Sequence, residues 1–392
     1  MRLAPKRLLS LPSPRSLLLN PNPNRPLSSS SSSSSSSPAP NPDPNPSAGP
    51  RGLTPLEQQF ANWVERLRPG FTGADVAAAV RAAADPDLAL DLFRWASLRP
   101  GYRHPPEAYL AALSVAASSG RLAAAETLVS DVLSGACPVD LPLFNAAVRF
   151  CCSRPRLLPR AFDLFNKLRR SPGHRPSLDT YNLLLSALLR RIGRPPAAHA
   201  YLHAVRSLAR HMKASGVVPD SLALNLIIKA HARCLDIDGA LRVFSEMPLY
   251  GCDPNEFSYG YVVKALCEKG RVDKAMAFLR EMRGKALVPT ASVYMAAVSS
   301  LALERRFEEA VEVVLDMLGN GRAPDLLTYR TLLEEMCRGG RADDAFQLLD
   351  ELSRRRGAMD RRTYSDLLEG LHWICQPVIA DRTCSNDANA QD

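Results

Sequence analysis

EFSYGYVVKALCEKGRVDKAMAFLREMRGKALVPT, residues 256–290, decides how the rest of the chain is read. Tyr259, Val262, Val263 and Leu266 fall at i, i+3, i+4 and i+7, which is one apolar stripe of a helix, with Ser258 as its candidate N-cap. Gly270 interrupts the stripe. Asp273 then opens a second helix, where an acidic side chain suits the positive helix start, and Ala275, Phe278, Leu279 and Met282 form its buried face. Pro289 closes it, because proline cannot continue the backbone ladder.

The same letters recur on either side. Pro219, Pro254, Pro289 and Pro324 are 35 residues apart, and so are Tyr259, Tyr294, Tyr329 and Tyr364. Ala240, Ala275, Ala310 and Ala345 keep that step, as do Met247, Met282, Met317 and, conservatively, Leu352. One helical hairpin cannot bury its apolar stripe alone. Hairpins at a fixed period therefore stack into a solenoid with a concave and a convex surface.

Phe257-Ser-Tyr259, Ala265-Leu-Cys-Glu-Lys-Gly-Arg-Val-Asp-Lys-Ala275 and Leu279-Arg-Glu-Met282 resemble the motif of the pentatricopeptide repeat family, which has the same length. The Trp, Leu-Gly, Tyr signature of tetratricopeptide units is absent. Periodicity and resemblance together predict an all-α fold, a right-handed solenoid of about eight helical-hairpin repeats (an α-α superhelix).

Working outward, the repeats fall at 70–105, 106–140, 141–177, 178–220, 221–255, 256–290, 291–325 and 326–360, with a partial one at 361–372. In the first of these, Leu88-Ala-Leu-Asp-Leu-Phe-Arg-Trp95 is similar to the second helix of an opening repeat in many plant members of that family. Residues 51–69 are expected to hold a capping helix, and 178–220 to lengthen its second helix from a start at Pro195 and Pro196. After His372 the pattern fades, so 373–392 is expected to be an irregular tail that leaves the apolar face of the last helix uncovered.

Residues 1–50 differ in kind. Arg2, Lys6, Arg7, Arg15 and Arg25 stand among leucines, Ser28 to Ser37 is unbroken serine, and the first acid is Asp43. This composition predicts an organelle transit peptide followed by a Pro/Asn linker, with its Arg-Leu blocks favouring mitochondrion over chloroplast. No apolar run is long enough to predict a membrane span. The leader carries five basic residues and one acid, so the net charge of +9 becomes +5 for the remainder. Such a mild excess favours an anionic partner, although solubility alone also accounts for it.

Cys152, Cys267 and Cys337 share one place in their repeats and read as small buried apolar residues, not as ligands or disulfides. His199, His203 and His211 could approach one another on one helix, but they lack the glutamate of an H-E-x-x-H motif. No metal or other cofactor is expected. Asp343 and Asp344 sit where a second helix opens, so capping explains them better than a metal pair does.

With each repeat counted from the residue after its closing position, positions 5, 9 and 13 share a face of the first helix that is not the apolar one. Position 9 holds Arg149, Lys229 and Lys264, and position 13 holds Arg190, Arg233 and Arg338. Such a stripe would follow a phosphate backbone or would simply be a solvated face.

The resemblance implies more. In that family each repeat reads one RNA base through position 5 and the closing residue, while position 2 packs between bases. Carried over, Asn145 works with Ser177, Asn182 with Asp220, and Asn225 with Asn255, implying C, then U, then C or U from 5′ to 3′. An amide suits this role because it offers both a donor and an acceptor to a Watson–Crick edge. Leu222, Phe257 and Leu327 are the implied stacking residues, whereas Pro142 and Asp179 suit that role poorly. Leu110 with Asp140, Gly260 with Thr290, Met295 with Asp325 and Arg330 with Asp360 depart from the pattern.

No phosphate loop, Ser/His/Asp arrangement or deaminase signature is present in the sequence, so no enzyme is expected. Two readings stand. One is an organellar binder of single-stranded RNA acting in processing, stability, splicing or translation. The other is a protein-binding scaffold in a mitochondrial ribosome or another ribonucleoprotein assembly.

Overall fold

A computed structural model of the chain describes residues 55–67, 70–193, 198–355 and 357–387. The transit-peptide reading, and the helix start at Pro195 and Pro196, lie outside the described residues. Every regular element among the described residues is helical, and none of those helices is long and apolar enough to cross a membrane. The contacts separate the chain into two units, Met1–Pro176 and Ser177–Asp392.

The first unit comprises α1 (Pro55–Arg66), α2 (Gly73–Ala82), α3 (Pro86–Ser97), α4 (Pro106–Ser118), α5 (Leu122–Ser134), α6 (Leu141–Cys152) and α7 (Leu158–Arg170). From α2 onward these pair as hairpins, and α2, α4 and α6 pack in succession. The second unit comprises α8 (Leu178–Leu189), α9 (Ala198–Ala214), α10 (Ser221–Arg233), α11 (Ile237–Glu246), α12 (Glu256–Glu268), α13 (Val272–Gly284), α14 (Ala291–Leu303), α15 (Phe307–Gly319), α16 (Leu326–Arg338), α17 (Ala342–Arg354) and α18 (Arg361–Asp387). The first helices α8, α10, α12, α14, α16 and α18 each pack on the next, and every second helix packs on its own first helix. This is the solenoid arrangement of hairpin repeats.

The tyrosine lattice lies at the centre of each hairpin. Tyr181, Tyr259, Tyr294 and Tyr329 are at most 1% exposed, and each hydroxyl finds a partner at the end of its own hairpin. Tyr259 donates to Glu281 Oε1 at 2.6 Å, Tyr294 to Asp316 Oδ2 at 2.6 Å, and Tyr329 to the Ala358 carbonyl at 2.9 Å. Tyr181 shares a 2.6 Å hydrogen bond with His211 Nδ1. The ring supplies buried apolar area, and the satisfied hydroxyl avoids the cost of an orphaned polar group. Cys152, Cys267 and Cys337 are buried beside this core, and burial pushes the thiols of Cys267 and Cys337 up to about 11 and about 12.

Turns repeat too. The link between the two helices of a hairpin needs a left-handed residue, which Gly120, Gly270 and Gly340 supply at φ of +74°, +71° and +80°. Leu235 and Arg305 occupy the same place at +53° and +59°, a conformation in which Cβ crowds the backbone. Just beyond, Arg306 Nη1 meets Asp273 of the preceding repeat at 2.6 Å. Arg271 approaches Asp238 at 3.8 Å, and Arg341 pairs with Glu308, in the same relation. Asp273 therefore serves the neighbouring hairpin as well as its own helix start. Asp344 pairs with Arg341 at 2.6 Å.

At the far end the structure departs from the sequence reading. Helix α18 runs from Arg361 through Asp387, where an irregular tail from 373 was expected. The buried stripe Leu367, Leu371 and Cys375 continues at i, i+4 and i+8 past His372, and the cysteine carries it one turn further against α16. Tyr364 is only half-buried, unlike its three counterparts, and donates at 2.8 Å to Asp350 on α17.

Candidate nucleic-acid interface

The closing residue of one repeat is the N-cap of the next first helix. Asp140, Ser177, Asp220, Asn255 and Asp325 each accept a hydrogen bond from the backbone three residues on. This corrects the assignment of Ser258 as a cap. Helix α12 starts at Glu256, three residues earlier, Asn255 caps it, and Ser258 completes a capping box from the N3 position. The exposed first turn carries Phe257, which broke the expected sequence of cap followed by apolar stripe.

Since a first helix packs on the next, position 5 of one helix lies against the cap of its successor. Asn225 Nδ2 donates to Asn255 Oδ1 at 3.2 Å. Asn182 Nδ2 donates to Asp220 Oδ2 at 3.4 Å, while Asp220 Oδ1 accepts the Ala223 amide at 2.7 Å. Asn225 is only 8% exposed and Asn182 is half-buried, so position 5 of these two repeats is a seam between helices and not a solvated face. Asn145 is half-buried on α6 in the first unit, and Ser177 caps α8 in the second.

Beside this seam lie the position 2 side chains. Leu222, Phe257 and Leu327 are 56%, 49% and 69% exposed, large apolar groups held in solvent by the first turns of their helices. Pro142 and Asp179 are exposed at the same position.

The cations differ among themselves. Arg149 and Lys264 are exposed. Lys229 is half-buried, with its ammonium 4.8 Å from the centre of the Tyr261 ring. Arg233 Nη1 donates to the Leu189 carbonyl at 2.8 Å, where the negative end of α8 favours a cation. Arg190 is exposed at the end of that same helix. Arg338 is tied to Glu334 at 3.0 Å and to Glu335, so it is not the free cation that charge counting suggested. The i, i+4 acids beside it were the available signal.

The later repeats lack the seam chemistry. Gly260 is buried, and a Cβ there would meet Val293 Cγ2 at 3.1 Å, so the packing leaves no room for a reader at that position. Thr290 makes no side-chain cap bond, Met295 is half-buried, and Arg330 pairs with Glu334 along its own helix. Among the described residues no group of three His, Cys, Asp or Glu side chains could hold a metal ion, and His211 is engaged by Tyr181.

Comparison with known proteins finds the same kind of repeat. A model of the PPR repeat family matches residues 219–268, and PPR repeat models match 257–287, 292–322 and 320–353. A mitochondrial pentatricopeptide repeat-containing protein of Arabidopsis thaliana is 51% identical over 199 residues, covering 51% of this chain and 52% of that protein. A second one from the same plant is 35% identical over 198 residues, covering 50% and 45% respectively. The chain thus spans about half the length of these relatives. The crystal structure of maize pentatricopeptide repeat protein PPR10 superposes with a TM-score of 0.48 at 22% identity, over 81% of this chain and 52% of that one. The hairpins within residues 219–353 match pentatricopeptide repeats, and the chain is similar to pentatricopeptide repeat proteins of Arabidopsis thaliana.

Proposed function

We propose that this protein binds a short single-stranded RNA in an organelle, the mitochondrion being favoured because two similar plant proteins are named as mitochondrial. The supporting observation is the pair of adjacent seams, Asn182 with Asp220 and Asn225 with Asn255, flanked by the exposed Leu222 and Phe257. Unstacked bases present the edge that amides and carboxylates recognise, and a large apolar side chain between two bases replaces the stacking they lose. Lys229, Lys264 and Arg233 stand on the same helices to meet the phosphates. Processing, stability, splicing or translation of that RNA is the step served.

Purified protein titrated with labelled oligonucleotides tests this reading. Binding should require a C-U-pyrimidine core, and alanine at both Asn182 and Asn225 should abolish the base preference while leaving residual, salt-sensitive affinity. Equal binding of all sequences by the wild type, unchanged in the double variant, refutes it.

A second reading belongs to the later repeats. There Arg330 and Arg338 are neutralised by Glu334 and Glu335, while Leu303 and Trp373 are 66% and 76% exposed. That surface suits polypeptide better than phosphate, as in a scaffold of a ribonucleoprotein assembly. Crosslinking in isolated organelles that recovers stable protein partners and no discrete RNA would favour it over the first.

A further inference from the structure

The seam at Asn225 contains a third side chain whose chemistry restricts what the pair can recognise. Ser258 is fully buried and lies at position 3 of the following repeat. Its hydroxyl oxygen accepts the Asn255 backbone N–H at 3.1 Å, and its proton goes to Asn225 Oδ1 at 2.6 Å. The alternative acceptor, Asn255 Oδ1, is 3.1 Å away, so the Asn225 bond is the stronger one.

The orientations then follow from the helix cap. Asn255 Oδ1 accepts the backbone amides of Phe257 and Ser258 at 3.1 and 3.2 Å, which requires that atom to be the oxygen. The Asn225 atom facing it at 3.2 Å must therefore be the nitrogen, which turns the Asn225 oxygen towards Ser258. With that oxygen held beside the fully buried Ser258 and the Asn255 oxygen accepting three donors, the seam has one N–H on Asn225 and two on Asn255 left over, and the second lone pair of the Asn225 oxygen stays on the buried side. The seam at Asn182 has the opposite character. Position 3 of its following repeat is Ala223, the Asn182 oxygen is buried without a partner among the described residues, and Asp220 adds a carboxylate.

We infer that Ser258 is a specificity-determining positioning residue, which holds the Asn225 amide with its donor outward and so makes that repeat select cytosine over uracil. Cytosine presents N3 and O2 as neighbouring acceptors to a donor array. Uracil places its N3–H between two acceptors, and that N–H would face another donor. The Asn182 seam, to which Asp220 adds a carboxylate as acceptor, suits uracil by the same argument. This inference rests on the RNA-binding reading and deepens it.

The test compares binding of AAACUCAAA and AAACUUAAA oligoribonucleotides, with A9 as control, to the full-length protein and to its Ser258→Ala and Ser258→Thr variants. The wild type should favour the cytosine oligonucleotide by about tenfold, the size of one mismatched hydrogen bond. Ser258→Ala frees the Asn225 oxygen to accept the uracil N3–H, so the ratio should fall to about one. Ser258→Thr keeps the hydroxyl and should restore it. Ser258→Ala also loses part of the cap, but a purely structural loss lowers both affinities together and leaves their ratio unchanged. A ratio that survives in Ser258→Ala, or a wild type that binds both oligonucleotides equally, overturns the role of Ser258 alone. Wild-type binding no stronger than to A9 overturns the RNA reading itself.

Discussion

Alanine in place of Asn255 should destabilise the protein by about 2 kcal/mol, whereas aspartate should not. Two losses add up in the alanine variant. The cap bonds to the Phe257 and Ser258 amides disappear, at a typical cost of about 1 kcal/mol. The Asn225 amide, 8% exposed, also loses its acceptor, which for a buried donor costs about 1 kcal/mol more. Aspartate keeps an acceptor at both places and puts a negative charge at the start of α12, worth about 0.5 kcal/mol in the favourable direction. It also turns the seam into the kind held by Asn182 and Asp220. Urea unfolding followed by circular dichroism measures the stabilities, and the oligonucleotide pair above measures the base preference. The expected outcome for aspartate is unchanged or slightly higher stability together with a move towards uracil. Equal destabilisation by alanine and aspartate, or none by alanine, would refute the claim that one side chain serves as both cap and reader.

Two further substitutions probe the packing. Gly239→Ala should destabilise by about 2 kcal/mol, although alanine normally strengthens a helix interior by about 1 kcal/mol over glycine. A Cβ there would lie 2.1 Å from His231 Nδ1 and 2.3 Å from Asp236 Oδ2, two atoms bonded to each other at 2.5 Å. The same change made in a His231→Ala background should cost far less, and equal costs in both backgrounds would exclude the clash as the cause. Arg305→Gly should stabilise by about 1 kcal/mol, because it relieves the left-handed strain at φ +59°. Thermal unfolding reads this, and a lower midpoint would show that the Arg305 side chain stabilises the fold by more than the strain costs.

The periodicity was legible because it records burial. Tyr259, Tyr294 and Tyr329 sit in one environment repeated at one interval, so the letters had to recur. The arginine ladder was equally visible, since Arg271, Arg306 and Arg341 are 35 residues apart, and so are Asp238, Asp273 and Glu308. Reading each hairpin by itself hid it, because the two members of every pair belong to different repeats. The same cause hid the cap. Asn255 closes one repeat by count but starts the next helix by geometry, so within a single repeat Ser258 is the residue that reads as the cap. The extension of α18 was hidden for a different reason: Cys375 continues the stripe of Leu367 and Leu371, yet Pro377, two residues on, reads as a helix stop.

The cap role of the closing residue limits how such a chain can vary. A closing residue must accept backbone hydrogen bonds, which restricts it to Asn, Asp, Ser or Thr if the next helix is to start well. Asp220, Asn255 and Asp325 keep that chemistry whatever stands at position 5 of the preceding helix, which for Asp325 is Met295. On the proposed function, helix initiation therefore preserves half of each pair even where position 5 is unsuited to a base. The informative half is position 5, which no helix cap constrains and which is Gly260, Met295 and Arg330 in the later repeats. On the proposed function, the boundary between base-reading and other surface therefore lies at position 5, after Asn225, and the caps beyond it serve a helix start and not a base.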